Sequence, residues 1–164
     1  MTRQTKLALI VPIYIFVYAL AAMWTMIDGW LSGFANILSI WSVSDVDSVH
    51  SIITFLLFTM VGSVLGCAVL GIISFHRYYA IEKSFDDDHI WGFLFAPLLA
   101  LIIGVLVYAI IQSGLVVLSG NVANPSDPNN ASLGYLSIGC VAGYNWDVFA
   151  RKLQELSKNI LNNQ

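Results

Sequence analysis

The chain has 164 residues, 58% of them apolar or aromatic and only 10% charged, with a net charge of -3 and a mean hydropathy of +0.78. Globular domains carry about 25% charged residues, so this composition excludes an ordinary soluble fold and points to lipid as the solvent. Seven scattered basic residues exclude a phosphate-tracking nucleic-acid surface.

The first apolar run is Leu7 to Ile27, preceded by Arg3 and Lys6 and closed by Asp28. Its head has the charged-then-apolar shape of a secretory leader, and Ala19-Leu20-Ala21 supplies a small-x-small pattern. The run is nevertheless long enough to cross a bilayer, so it reads as a retained span (about 7–27) in which Pro12 is expected to introduce a kink.

Between Asp28 and His50 there is no Lys or Arg. Trp30, Leu31, Phe34, Ile37, Leu38 and Trp41 recur at helical spacing, with Ser32, Asn36 and Ser39 opposite. This predicts a short helix lying in the outer interface with its tryptophans at headgroup depth. Ser44 or Asp45 is placed to cap the next helix.

The second span (51–75) carries no charge and is expected to continue through His76-Arg77-Tyr78-Tyr79 toward Lys83. Ser84 to His89 then forms an inner turn, with Asp86, Asp87 and Asp88 at the favourable dipole end of the next helix. The third span (91–118) contains Pro97. Gly120 to Ala131, with Pro125, Pro128 and four asparagines, reads as a loop. The fourth span (132–146) is short and carries Gly134, Gly139 and Gly143, so neighbouring helices must shield it from lipid.

Orientation follows from charge. In a four-span threading, Arg3, Lys6, Arg77, Lys83, Arg151, Lys152 and Lys158 all fall on one side, and the two loops on the other side hold no Lys or Arg. Three spans would divide the basic residues between both faces. The positive-inside rule then places both termini in the cytosol of a multi-pass inner-membrane protein. The expected fold is all-α: a four-transmembrane-helix bundle over residues 1–146, a short outer interfacial helix and a cytosolic amphipathic helix over 147–164.

Small residues recur four apart at Gly62 and Gly66, Ala100 and Gly104, and Gly139 and Gly143. In lipid, where apolar surface gives helices no reason to associate, such positions let backbones approach closely. They serve either packing within one subunit or self-association into a homo-oligomer. Thr59, Ser63, Cys67 and Ser74 line one face of the second span; such a stripe could line water in a pore, or form a packing seam with hydroxyls bonded to backbone. Cys67 and Cys140 lie in apolar runs and read as small packing residues, not a disulfide framework or a metal site. Asp147 has Arg151 as its i+4 neighbour, so a helix ion pair is expected.

In the tail, Trp146, Phe149, Leu153, Leu156 and Ile160 make a two-heptad apolar seam, opposed by Arg151, Lys152, Gln154, Glu155 and Lys158. The seam suits a helix on the inner leaflet, or one that docks a neighbouring subunit or a cytosolic partner. No paired carboxylates, His cluster or activated nucleophile marks a catalytic centre. No enzyme activity, metal or cofactor is therefore expected.

Two stretches carry a likeness to known proteins. One is Trp91-Gly92-Phe93-Leu94-Phe95-Ala96-Pro97-Leu98-Leu99-Ala100, continuing through Gly104 and Tyr108 to Gly114; the other is Leu136-Ser137-Ile138-Gly139-Cys140-Val141-Ala142-Gly143-Tyr144-Asn145-Trp146-Asp147. They resemble small four-span bacterial inner-membrane proteins that serve as membrane components of antiphage-defence systems, where they sense or damage the membrane, such as the Kiwa membrane component. The resemblance implies a cytosolic effector partner and carries over no catalytic residue. The sequence thus leads to a homo-oligomeric scaffold or sensor that recruits a cytosolic protein, the alternative being a pore that depolarises the membrane.

Overall fold

Every regular element in the computed structural model is helical among the residues it describes, 3–43, 51–86, 89–114 and 128–162. Three stretches are long and apolar enough to cross a membrane: Leu9–Ser32, Ser51–Ile81 and His89–Gln112. At 1.5 Å per residue each exceeds the roughly 30 Å of a hydrocarbon core.

The first helix, α1 (Arg3–Ser32), keeps Pro12 inside one continuous element and ends at Ser32, past the expected stop at Ile27. Trp30 and Leu31 therefore belong to its last turn, not to a separate interfacial helix. The break falls at Gly33 and Phe34, whose φ angles are 61° and 67°. Glycine adopts such a conformation freely, whereas a bulky residue does so only under constraint. The constraint is the Phe34 ring, which lies on Gly29, is fully buried and meets Phe58 edge-on at 4.8 Å. A six-residue helix, α2 (Ala35–Ile40), follows. Ser44 and Asp45, expected to cap the next helix, lie outside the described residues.

The central helix is α3 (Ser51–His76), extended by a π-helical turn over Arg77–Ile81; α1, α4 and α5 all pack against it. Lys83, at φ 51°, turns the chain toward α4 (His89–Gln112), and the His89 amide donates to the Asp86 carbonyl (3.1 Å). Asp87 and Asp88 of the expected turn lie outside the described residues. The third apolar run, expected over 91–118, stops as a helix at Gln112. Gly114, at φ 73°, takes the left-handed conformation that commonly closes a helix; residues 115–118 lie outside the described part.

The next helix, α5 (Pro128–Tyr144), starts before the expected Ser132, inside the segment read as loop. Proline suits a first helical turn because its φ is already helical and no amide donor is needed there. Its end also differs from expectation, since Trp146 opens α6 (Trp146–Asn162). The seventeen residues of α5 span about 25 Å.

Contacts along α3 give the helix directions. Phe58 meets Trp30, Cys67 clusters with Ala22, and Gly71 meets Tyr18 and Ile15, so α1 runs antiparallel to α3. Gly104 lies on Met60 and Phe93 meets Phe75, so α4 is antiparallel as well. Gly62 meets Leu136 and Gly66 meets Tyr144, so α5 runs parallel to α3. One end of the bundle therefore carries Asp28, Gln112 and the start of α5, and the other carries Arg77, His89 and the start of α6. The core is large at the Asp28 end, built on Phe34, Phe58, Tyr108 and Tyr135. It narrows in the middle to Ala22, Val64, Cys67 and Ala100.

Candidate functional site

The tightest feature is a glycine seam between α3 and α5. A Cβ on Gly62 would strike the Leu136 carbonyl, and one on Gly66 the Cys140 carbonyl. Reciprocally, Gly139 sits against the Thr59 carbonyl and Gly143 against the Ser63 carbonyl. Two parallel Gly-xxx-Gly motifs thus interlock within one chain, with backbone on backbone, the approach that small residues permit in lipid. On the other side of α3, Gly104 packs on the Met60 backbone, and Ala100 is 1% exposed beside Val64 and Cys67. All six small residues singled out in the sequence are occupied by contacts inside the chain.

Of the polar stripe of α3, Thr59 and Ser63 face this seam, whereas Cys67 and Ser74 line a cleft further along. Thr59 and Ser63 are completely buried, and the Thr59 hydroxyl donates to the Phe55 carbonyl (2.8 Å). The Ser63 hydroxyl has no partner. Neither residue borders open space within the chain; Cys67, further along, does. The cysteines are both free.

At the Arg77 end a cleft of about 430 Å³ opens between α3, α4 and the start of α6. Its deeper wall is Cys67, Leu70, Phe93 and Ala96, and its mouth is Ser74, Tyr78, His89, Trp146 and Asp147. At the mouth the His89 ring lies tilted against the Tyr78 ring at 4.6 Å, and the Arg77 guanidinium sits over the Tyr78 ring, 4.9 Å from its centroid, while donating to the Tyr78 hydroxyl (3.0 Å). Arg77 also pairs with Glu82 (3.4 Å), and Asp147 pairs with Arg151 (3.2 Å). Phe75 anchors the turn by edge contacts with Phe85 and Phe93 and a stack with Tyr79.

The tail seam divides at its first turn. Trp146 lines this cleft, whereas Phe149 lines a second, apolar groove beside Val107, Ile111, Val141 and Ala142. Leu153 is half-buried, and the side chains of Leu156 and Ile160 lie outside the described part. The opposite face is exposed along Arg151, Lys152, Gln154, Glu155 and Lys158, with Lys152 and Glu155 paired at 2.7 Å.

Two polar clusters had no sequence pattern to announce them. At the end of α1, Asp28 is 8% exposed; its Oδ1 accepts from the Ser32 hydroxyl (2.6 Å) and the Asn36 amide (2.7 Å), while Oδ2 is buried without a partner. Near the same end, the Gln112 amide donates to the hydroxyls of Tyr108 (3.1 Å) and Tyr135 (3.0 Å), clamping α4 to α5. The i+4 spacing of Asp28 and Ser32 was visible, but the turn at Phe34 that brings Asn36 round was not. Among the described residues no three His, Cys, Asp or Glu converge as a metal site. Compared with protein-family models, curated proteins and solved structures, the chain has no match.

Proposed function

We propose that the chain is a membrane-embedded scaffold or sensor that recruits a cytosolic protein through α6. The carrying observation is that α6 packs sparsely on the rest of the bundle: its first two turns border the two clefts, and its face with Arg151, Lys152, Glu155 and Lys158 is exposed. A seventeen-residue helix is marginal alone and takes its order from what its apolar face meets.

Four crossings and an inward tail belong to this reading. At about 25 Å, α5 is short for a span. Its glycines nevertheless interlock with the middle of α3, which supports its crossing alongside that helix. In a four-span threading every basic residue falls on the side of Arg77, which supports a cytosolic location for that side and for both termini. A setting in a bacterial inner membrane and in antiphage defence rests on the resemblance of the two stretches alone. Self-association gains nothing from the small residues, which the chain uses internally. The pore reading gains no lining from Thr59 and Ser63, which α5 covers.

The test is in-cell photo-crosslinking from position 158, comparing the full chain with a chain lacking residues 148–164. Recruitment predicts one cytosolic species crosslinked from position 158 that the shortened chain fails to co-purify. An unchanged set of co-purifying proteins after the deletion removes the docking role.

A further inference from the structure

The cleft at the Arg77 end changes character along its length in the sense of a lipid molecule. Its inner wall is apolar, formed by Cys67, Leu70, Phe93 and Ala96, and its mouth is polar, formed by Ser74, Tyr78, His89 and Asp147. A volume of about 430 Å³ falls within the roughly 300–1,000 Å³ of small-molecule sites. Among the described residues no atom lies within 4 Å of a Cβ added at Gly92, on the cleft wall.

Asp147 is the formally charged residue of the mouth, and a positive charge, Arg77, stands behind the mouth on Tyr78. On one side, the Arg77 guanidinium is hydrogen-bonded to Tyr78 and the His89 ring lies tilted against the same tyrosine. Ser74 adds a hydroxyl donor on the α3 wall. On the other side stands the Asp147 carboxylate at the start of α6. Each formal charge is already paired, Arg77 with Glu82 and Asp147 with Arg151. A zwitterion therefore fits without adding net charge, whereas an anionic headgroup would bring one unbalanced negative charge close to Asp147.

We propose that this cleft holds one phosphatidylethanolamine-type glycerophospholipid, with an acyl chain along the Leu70–Phe93 wall, its phosphate toward Ser74, Tyr78 and His89, and its ammonium toward Asp147. The inference rests on the reading that the Arg77 end meets a membrane surface, and it does not require a protein partner. Because Trp146 and Asp147 open α6, the occupant touches the root of the tail.

The test reconstitutes the full chain in bilayer discs holding equal parts of phosphatidylethanolamine and phosphatidylglycerol with the same acyl chains. The protein is then moved to detergent, washed, and its retained lipid quantified by mass spectrometry. The expected result is stoichiometric phosphatidylethanolamine, reduced about tenfold by Gly92→Leu, which fills the cleft, and unchanged by Val141→Phe in the other groove. Asp147→Asn is expected to abolish the preference over phosphatidylglycerol; being on the surface, it keeps the test decisive should Gly92→Leu not fold. Equal retention by Gly92→Leu, absence of retained lipid on the unaltered chain, or a preference for phosphatidylglycerol overturns the proposal. A change in oligomeric state with Gly92→Leu at constant lipid content also overturns it, since a second copy then covers the cleft. Deleting only residues 153–164 keeps Trp146, Asp147 and its partner Arg151, so loss of a protein partner and loss of the lipid are separately visible.

Discussion

Gly143 lies directly against the Ser63 backbone carbonyl, and one turn earlier Gly139 lies against that of Thr59. The contact is main chain on main chain, so there is no flexible side chain to give way. Gly139→Val and Gly143→Val are each expected to part α3 from α5 and to cost at least the roughly 1–3 kcal/mol of an overpacked core. Thermal unfolding in detergent should show a large fall in midpoint for both, and an unchanged or raised midpoint for Gly92→Ala, where the space is open. Equal midpoints for all three variants would dismiss the seam as the main helix contact.

Ser63 tests the same seam from the other side. Its hydroxyl is buried and unpartnered, so a polar group was taken from solvent with nothing in return. Ser63→Ala is expected to be neutral or to stabilise by about 1 kcal/mol. A loss of more than about 1 kcal/mol in equilibrium unfolding would mean that the hydroxyl has a partner when the chain is in a bilayer.

Asp28 holds the sharp corner between α1 and α2. Asp28→Ala removes the acceptor for both the Ser32 hydroxyl and the Asn36 amide, and hydrogen bonds to a charged group are worth about 1.5–3 kcal/mol each. Asp28→Asn keeps an acceptor oxygen for both donors but sets an amide with no acceptor where the unpartnered Oδ2 stands, so it should fall between Ala and the unaltered chain. Unfolding midpoints check the order; if Asn proves as damaging as Ala, the buried carboxylate has a role beyond the corner.

Threading is testable by single cysteines in a chain carrying Cys67→Ala and Cys140→Ala. A membrane-impermeant maleimide added to intact cells is expected to label Trp41→Cys, whose side chain is 76% exposed on the Asp28 end, and to spare Lys158→Cys. Labelling at 158 would reverse the orientation and end the case for a cytosolic docking tail.

Helical class, and helices long and apolar enough to cross a membrane, were legible in the sequence because each rests on a sum over many residues. Long uncharged runs prefer lipid wherever their neighbours go, and the length of each run is a count along the chain. The Asp147–Arg151 pair was legible for the same local reason, a fixed helical spacing. Element ends were less so. Pro128 and Gly114 punctuate helices in ways that depend on which turn they occupy, and Phe34 takes a left-handed conformation that its propensity argues against. The partners of the small residues belonged to the tertiary structure alone. A Gly-xxx-Gly motif states that a backbone can come close, not whose. Only the parallel register of α3 and α5 sets Gly62 and Gly66 against Gly139 and Gly143, closes the Thr59–Ser63 stripe, and leaves the cleft beneath Gly92 open. Such contacts join residues more than seventy positions apart, and no pattern within either helix encodes the distance between them.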